Sequence, residues 1–577
     1  MTFRRVASEA ELRPDKPHGV TIDGVDLVLV CPRGKSPRAF DGHCPHQGTL
    51  LAEGEIVGGD LVCRAHGWRF DVQSGERRGE PRTCLRAYPT RLENGEVLVD
   101  LGTARRVEPA AQRPTRPLAD VPGPRGWPLL GNLPQVQASR LHEDLERWAR
   151  EFGVLYQLRL GPGRLLVVSD AELSETLLRS RPQSLQRTVG LKALFAEVGA
   201  AGLFSAEGDA WRAQRRLVME ALSARNLRTF FPTLRRVAER LRGRWVKAAA
   251  AGSVMEIKDE LMRFTVDVTT ALAFALDTNT IEGGDDVVQR HLAHIFPAVN
   301  RRGLAMFPYW RYVRLPADRA LDRALGELRR FQSDLLETTR ARLAKSGSTE
   351  ATNLVEAMLL ARDESGRPFS DEVIFGNTLT MLLAGEDTTA NSTAWMLHYL
   401  CDRPDVVERA RTEIDQVLAG EPTLPSYEAA SDLPWLDAIA SEAMRLRPVA
   451  PIIGLSTIDD MLVGDVTVPA KTDMLVLTRP PALDARNFHE PERFEPARWL
   501  PGGSGAHEAN ASKPFGSGPR TCPGRSLALL EMRVLLATLL AHFDVERVGP
   551  REAVRERFSF TMLPEELRVR LRPRAGS

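Results

Sequence analysis

The sequence predicts a two-domain chain, a small all-β domain followed by a large, mainly α domain with some strand (α+β). Three observations predict it. At 577 residues the chain is longer than one hydrophobic core ordinarily serves. The first hundred residues lack helical periodicity and read as short strands, whereas long helical stretches dominate the remainder. Between them, residues 103–121 are Ala, Arg, Pro and polar residues without periodicity, a tether that Pro109, Pro114 and Pro117 stiffen. The expected bounds are therefore 1–102, 103–121 and 122–577.

Composition sets the class. With 43% hydrophobic and 27% charged residues the chain is of the globular type. Its 77 Lys and Arg balance 76 Asp and Glu, so charge gives no signal for nucleic acid. No run of about 18 apolar residues exists, and the first residues lack the apolar core of a secretory signal, so a cytoplasmic protein without a membrane anchor is expected. Six cysteines in this length do not make a disulfide scaffold. Cys44, Cys63 and Cys522 sit in metal-ligand settings; Cys31, Cys84 and Cys401 read as buried thiols.

In the small domain, Gly19 to Val30 reads as strand, and Asn94-Gly95 between Arg91-Leu92 and Val97-Leu98-Val99 is a hairpin signal. Within it lie Cys44-Pro45-His46 and Cys63-Arg64-Ala65-His66, sixteen residues apart. Two Cys and two His on paired loops suit zinc as well as an iron–sulfur cluster. The flanks, Gly-His-Cys-Pro-His-Gln-Gly and Cys-Arg-Ala-His-Gly-Trp-Arg-Phe-Asp, resemble the Rieske 2Fe-2S signature over nearly all of residues 1–100. The resemblance implies that Cys44 and Cys63 hold one iron and the neutral imidazoles of His46 and His66 the other. High-potential respiratory members add a loop disulfide and two hydroxyl donors. Here Gln47-Gly48-Thr49 and Arg64-Ala65 stand where those cysteines would be, and Trp68 and Phe70 where the hydroxyls would be. Fewer donors stabilise the reduced cluster less, so a potential toward the low end of the Rieske range is expected.

The large domain opens on Pro122-Gly-Pro-Arg-Gly-Trp-Pro-Leu-Leu-Gly-Asn132, then strand-like Val154 to Leu160 and Leu165 to Ser169. Trp211 and Arg215, four apart on a helical stretch, share one face. Asp371 to Leu400 reads as one long helix with Ser370 as N-cap, acidic Asp371 and Glu372 in its first turn and Pro404 beyond its end. Its middle, Ala384-Gly385-Glu386-Asp387-Thr388-Thr389, places a helix breaker and polar groups inside an otherwise apolar helix. Thr388 can bond back to a carbonyl one turn earlier and open the ladder into a groove. Glu442 and Arg445 make an i, i+3 pair, and Pro491-Glu-Arg-Phe494 with Arg498-Trp499 follows.

Phe515 to Gly524, Phe-Gly-Ser-Gly-Pro-Arg-Thr-Cys-Pro-Gly, leads into the helical run Ser526 to Phe543. A sulfur at a helix start meets the positive end of the macrodipole, the setting of a ligating thiolate at Cys522. Gly516, Gly518 and Gly524 suit a loop pressed against a planar cofactor. Arg520 is placed to reach an anionic group on that cofactor.

Phe515, Gly518, Arg520, Cys522 and Gly524 together form Phe-x-x-Gly-x-Arg-x-Cys-x-Gly, which resembles the haem-ligand signature of the cytochrome P-450 family. The resemblance runs from Pro122 almost to the C-terminus. It implies haem b held by the Cys522 thiolate, a ligand that favours O–O cleavage. It also implies Trp211 and Arg215 on a haem propionate, Asp387 and Thr388 as the acid–alcohol pair that delivers protons to dioxygen, and Glu442–Arg445 as a structural pair. Many members carry a further basic propionate partner where this chain has Leu455 to Ile458; Arg479 is the nearest substitute in sequence. Substrate contacts are expected from 184–203, 295–315, 379–384, 449–454 and 560–562, mostly apolar segments that suit an apolar or amphipathic molecule.

The function expected is thus a monooxygenase using O2, an apolar substrate, haem and the cluster. The sequence shows no Gly-x-Gly-x-x-Gly fingerprint after a strand, which leaves electrons to a separate NAD(P)H-dependent flavoprotein reductase. The alternatives are a haem-thiolate peroxygenase or isomerase with a structural Rieske domain, a haem/Fe-S redox sensor, and a Rieske non-haem oxygenase. Asp387 and Thr388 argue against the first. No output or DNA-binding segment supports the second, and no two-His one-carboxylate motif supports the third.

Overall fold

Asn94 and Gly95 both adopt positive φ, 52° and 76°, as a two-residue hairpin turn demands. The turn belongs to a computed structural model that describes residues 3–574 apart from 15, 23–24, 32–35, 46–48, 64–67, 78–79, 102–114, 162, 284–293, 296, 300, 304, 306, 348–350, 352, 363–365 and 504–506. For 80–84 it describes the backbone alone. The chain divides into two units, Met1–Pro114 and Thr115–Ser577.

In the first unit the strands are β1 (Phe3–Ser8), β2 (His18–Ile22), β3 (Val25–Val30), β4 (Arg38–Asp41), β5 (Glu55–Val57), β6 (Asp60–Val62), β7 (Arg69–Asp71), β8 (Glu76–Arg77), β9 (Glu80–Cys84), β10 (Ala87–Tyr88), β11 (Thr90–Glu93) and β12 (Glu96–Asp100). They form three sheets, ordered β1-β12-β11, β10-β4-β3-β2 and β5-β6-β7-β8-β9. The segment expected as strand from Gly19 to Val30 is a hairpin, with Ile22 opposite Val25. Its second half, Val-Asp-Leu-Val-Leu-Val, is apolar on both faces because it separates two cores. Leu27 and Leu29 pack with Val97, Val99 and Tyr88, whereas Val28 and Val30 pack with Phe40, Phe70, Cys44 and Cys63.

In the second unit the strands are β13 (Arg116–Pro117), β14 (Leu155–Leu160), β15 (Gly163–Val168), β16 (Leu185–Gln186), β17 (Val254–Glu256), β18 (Ile452–Thr457), β19 (Met461–Val463), β20 (Val466–Val468), β21 (Asp473–Leu477), β22 (Phe543–Arg547), β23 (Arg555–Ser559), β24 (Thr561–Glu565) and β25 (Arg568–Pro573). Its largest sheet runs β14-β15-β21-β18-β16. One expectation is corrected here. Residues 116–121, read as the end of the tether, belong to this unit: Arg116 and Pro117 pair with Val466 and Thr467, and Leu118 and Val121 are buried beside Val466 and Leu155. A short strand that borrows a partner 350 residues away leaves no local pattern to read. The rest of the expected tether, 103–114, lies outside the described residues.

The helix Asp371–Leu400 spans its expected range, and Ser370 Oγ accepts from the Val373 N–H at 3.4 Å. It is buried on nearly every side, yet it carries many hydroxyls. They are satisfied within the helix: Thr378, Thr380, Thr388, Ser392 and Thr393 each donate to the carbonyl four residues back, at 2.6–2.9 Å. Gly385 does not break this helix, as the sequence suggested. A Cβ there would lie 2.7 Å from Thr269 Oγ1, so Gly385 lets the helix Ile257–Phe274 approach closely.

Candidate active site and metal centres

The loop from Phe515 is closed where the Cys522 N–H donates to the Phe515 carbonyl, at 2.9 Å. Gly518, at φ 71°, seats it on the helix Ala171–Arg179: a Cβ there would meet the Leu178 carbonyl at 2.8 Å. The reason for this glycine is thus a backbone neighbour as much as a cofactor. Cys522 lies just before the helix Arg525–His542, whose N-cap is Gly524. Burial pushes its thiol up, against the Gly524 and Arg525 N–H groups and Arg215, which favour the thiolate. The helix start alone therefore does not ionise Cys522; a metal that displaces the proton would. Cys522 is nonetheless accessible to a solvent probe. A sulfur densely surrounded yet accessible opens onto an internal cleft, the setting a haem iron requires.

Above this loop lies a nest of cations. The Arg520 guanidinium is 4.3 Å from the Trp211 ring centroid and bonds Glu207. Glu207 Oε1 also accepts the Arg187 N–H at 2.9 Å, and Arg187 bonds the Phe204 carbonyl and lies 3.5 Å from its ring centroid. Burial and the neighbouring Arg520 pull Arg181 down to about 10; burial, Arg181 and Arg520 pull Arg187 well down. Arg215 is lowered by burial, with Cys522 opposing. Among the described residues, Arg181 Nε and Nη2 and Arg520 Nε and Nη1 are buried without a hydrogen-bond partner. Four guanidinium groups against one carboxylate fit a dianion such as the two propionates of haem.

Arg181 and Arg187 escaped sequence reading. Arg187 follows β16, whose Gln186 is opposite Ser456, so it stands beside Leu455, where the expected basic residue is missing. Arg479 is not the substitute. It is buried between Glu146, at 2.6 and 2.9 Å, and Glu556, at 2.7 Å, so its charge is already matched by two carboxylates.

On the long helix, Thr388 Oγ1 donates to the Ala384 carbonyl at 2.6 Å, the back-bond its position predicts. Ala384 is exposed and Gly385 and Thr388 half-buried in a stretch, Leu382 to Leu400, that is otherwise enclosed, so this face opens inward. Asp387 faces elsewhere: Asn391 Nδ2 donates to Oδ1 at 2.9 Å and Thr561 Oγ1 donates to Oδ2. Burial raises its pKa, and those two donors oppose the rise. Glu531, on the Cys522-loop helix, is fully enclosed beside Thr389 and pushed up to about 8 by burial.

The expected substrate segments converge in part. Phe195, Phe204 and Phe560 form one aromatic group, with centroids 4.7 to 6.0 Å apart. Of 295–315, Ile295, Ala298 and Val299 are core, whereas Phe307, Tyr312, Val313 and Leu315 face outward. Chain apolarity there signals surface as well as pocket.

Glu442 and Arg445 are fully buried and joined by two 2.8 Å bonds. Glu442 also accepts from Glu495 N, Arg498 Nε and Trp499 Nε1 at 2.9–3.0 Å, and Arg445 donates to the carbonyls of Ala482, Pro491 and Arg493. The pair stitches the helix Pro434–Leu446 to the segment before the haem loop, the structural task expected of it.

In the small unit, Cys44 and Cys63 are each 1% exposed and share one apolar cluster. Each opens a loop closed by its own N–H, onto the Thr49 carbonyl at 2.8 Å and the Trp68 carbonyl at 2.9 Å. His46 and His66 lie within those loops, outside the described residues. Two sulfurs in one cluster, on matched loops, fit two iron-ligand pairs. Trp68 lies under the Arg77 guanidinium, 3.6 Å from its centroid, and Phe70 is buried.

A cysteine loop ahead of a buried helix, a nest for a dianion and paired cysteine loops define a haem-thiolate site joined to an iron–sulfur domain. Known families agree: the cytochrome P-450 family matches residues 121–571, and the Rieske 2Fe-2S domain matches residues 2–89. The chain belongs to the cytochrome P-450 family and carries a Rieske domain, and the two assignments imply haem and a 2Fe-2S cluster. It is 26% identical over 466 residues to a self-sufficient cytochrome P-450 monooxygenase of Penicillium expansum, covering 80% of this chain and 44% of that one. It is 30% identical over 469 residues to the mitochondrial 25-hydroxyvitamin D-1 alpha hydroxylase of Homo sapiens, covering 78% and 91%. It is 26% identical over 463 residues to a bifunctional cytochrome P-450/NADPH–P-450 reductase of Acremonium egyptiacum, covering 77% and 42%. The chain thus spans less than half the length of the first and third relatives. Among the described residues no helix is long and apolar enough to cross a membrane.

Proposed function

We propose that this protein is a monooxygenase in which a Rieske domain passes single electrons to a haem-thiolate centre. The reaction is R–H + O2 + two electrons + two protons giving R–OH + H2O, with R–H an apolar organic molecule. Haem supplies the site of dioxygen reduction, and thiolate ligation favours O–O cleavage. Cys522 is its ligand, and Arg181, Arg187, Arg215, Arg520 and Trp211 hold its propionates. Phe515 and Gly524 frame the loop. Cys44, His46, Cys63 and His66 hold the cluster.

The observation that carries this reading is the open face in the buried middle of the long helix, where Ala384 is exposed and Thr388 half-buried with Asp387 adjacent in sequence. Thr388 holds a proton at Oγ1, and Asp387 resupplies it. Peroxide-driven or isomerising chemistry needs no such relay. The aromatic group of Phe195, Phe204 and Phe560 favours an apolar substrate.

The apolar packing around Cys44 and Cys63 disfavours the more negative reduced cluster, which makes it a ready donor. Two relatives are named as self-sufficient or fused to an NADPH reductase. Here the electrons come from a separate NAD(P)H-dependent flavoprotein in the cytoplasm. Residues 1–100 hold 14 Lys and Arg and 15 Asp and Glu, so the tether supplies the encounter between domains rather than charge.

Removing residues 1–104 tests the electron path. The shortened protein should bind haem and apolar ligands and keep any peroxide-driven activity, yet turn over poorly with a nicotinamide-dependent reductase. His66→Cys in the full chain should do the same. Electron acceptance by the shortened protein as fast as by the full chain, with no ferredoxin added, removes the cluster from the path.

A further inference from the structure

Thr388 and Asp387 do not bond one another: the hydroxyl is given to Ala384, and the carboxyl is held by Asn391 and Thr561. Thr561 is 174 residues away in sequence, the first residue of β24. It follows Phe560, which holds φ 72° at the tip of the β23–β24 hairpin, a conformation that strains a bulky residue. The Phe560 ring is kept there by Phe195 and Phe204, at 5.7 and 6.0 Å. Past the tip, β24 is fixed to the same face of the long helix. Asp387, Asn391 and Trp395 are spaced four apart; the first two bond Thr561, and Trp395 Nε1 donates to the Met562 carbonyl at 3.3 Å.

One side of Thr561 is therefore the strained turn that carries Phe560, and the other is the carboxyl next in sequence to Thr388. We propose that Thr561 is a positioning residue for Asp387: it holds the acid away from Thr388 while the pocket is empty and releases it when a molecule seated on Phe560 shifts the turn. This rests on the monooxygenase reading above. A packed aromatic tip held at a strained φ has a second, relaxed arrangement within reach, and an apolar molecule that replaces the Phe195 and Phe204 contacts biases the turn toward it. The proton itself moves from Asp387 to Thr388 and is replaced from solvent, so the acid ends each cycle unchanged.

The test uses the full holo chain and four variants: Thr561→Val, Thr561→Ser, Asp387→Asn and, where valine prevents folding, Thr561→Ala, which removes the hydroxyl without adding bulk. The first readout is the infrared carboxyl band that Asp387→Asn abolishes. In the empty protein Thr561→Val should move it and Thr561→Ser should leave it. Dodecanoic acid, added until the haem absorption ceases to change, should move the wild-type band toward the valine position and leave the valine protein unaltered. The second readout needs no ligand: peroxide released per electron by the empty protein should fall about fivefold in Thr561→Val, the population change one ordinary hydrogen bond controls, and stay at the wild-type level in Thr561→Ser. A valine variant with the wild-type band and leak overturns the proposal, as does a wild-type band that stays put while dodecanoic acid binds. If Asp387→Asn itself changes neither turnover nor peroxide yield, the relay reading fails, and the latch with it.

Discussion

The Arg520 guanidinium lies against the indole of Trp211, 4.3 Å from its centroid, and its Nε and Nη1 have no hydrogen-bond partner among the described residues. Together with Arg181 and Arg187 this leaves positive charge buried until an anion arrives. Arg181→Leu should have opposite effects on the two states. It relieves an unpaired buried cation, so the haem-free protein should melt higher. It removes a propionate partner worth about 1.5–3 kcal/mol, so haem should transfer to an acceptor globin roughly ten- to hundredfold faster. Thermal scans of the haem-free protein and haem-transfer rates check both. A change of the same sign in each would place Arg181 outside the propionate nest.

Thr388→Ala deletes the hydroxyl that bonds the Ala384 carbonyl on the open helix face. The bond closes within the helix, so fold, haem content and apolar ligand binding should survive. Product formation should slow by about a hundredfold or electrons should pass to peroxide, the lower end of what a positioned proton donor contributes. A rate of product formation and a product yield per electron both equal to wild type would remove Thr388 from the chemistry.

Contiguous features were legible and distant ones were not. The Cys522 loop, the Ser370 cap, the Thr388 back-bond and the Asn94-Gly95 turn depend on neighbours within ten residues, where spacing carries geometry. Arg187 stands beside the place of the missing base only through the register of Gln186 with Ser456, and Thr561 reaches Asp387 only because a hairpin folds against the long helix. Arg479 misled for the complementary reason: nothing near it in sequence reveals that Glu146 and Glu556 occupy it. Gly385 reads as a breaker in isolation and is a contact surface for Thr269 in the fold.

Glu442 gathers five donors in a site without solvent. Burial raises its pKa, but the hydrogen bonds of Arg445 and the neighbouring charges overcome this and hold it low. Glu442→Ala leaves Arg445 buried without its carboxylate, a loss of about 3–5 kcal/mol. The variant should accumulate without haem or fail to accumulate, and Glu442→Gln, which keeps a partial set of bonds, should lie between. Chemical unfolding midpoints and haem content read both. A Glu442→Ala protein of wild-type stability would mean the pair does not stitch the haem loop to the core.

Glu531 gives a stability effect whose sign follows from its surroundings. Enclosed beside Thr389, it is pushed up to about 8 from the 4.5 of a free carboxyl. Below pH 4.5 it is neutral in both folded and unfolded chains, and its contribution to stability is fully present. Between 4.5 and about 8 the unfolded chain releases the proton while the folded one keeps it, so stability falls with a slope approaching 1.4 kcal/mol per pH unit, as an order of magnitude. Above about 8 both forms are ionised and the loss is complete. Glu531→Gln is neutral throughout and still accepts from Thr389, so it lacks this decline. The difference between the two proteins should therefore grow steadily in favour of glutamine from pH 5 to 8, while every other titrating group cancels in the comparison. Urea unfolding of both proteins at pH 5, 6, 7 and 8 measures it. Parallel stability profiles would mean that the buried carboxyl is relieved by a partner, and that its proton is free to leave at neutral pH.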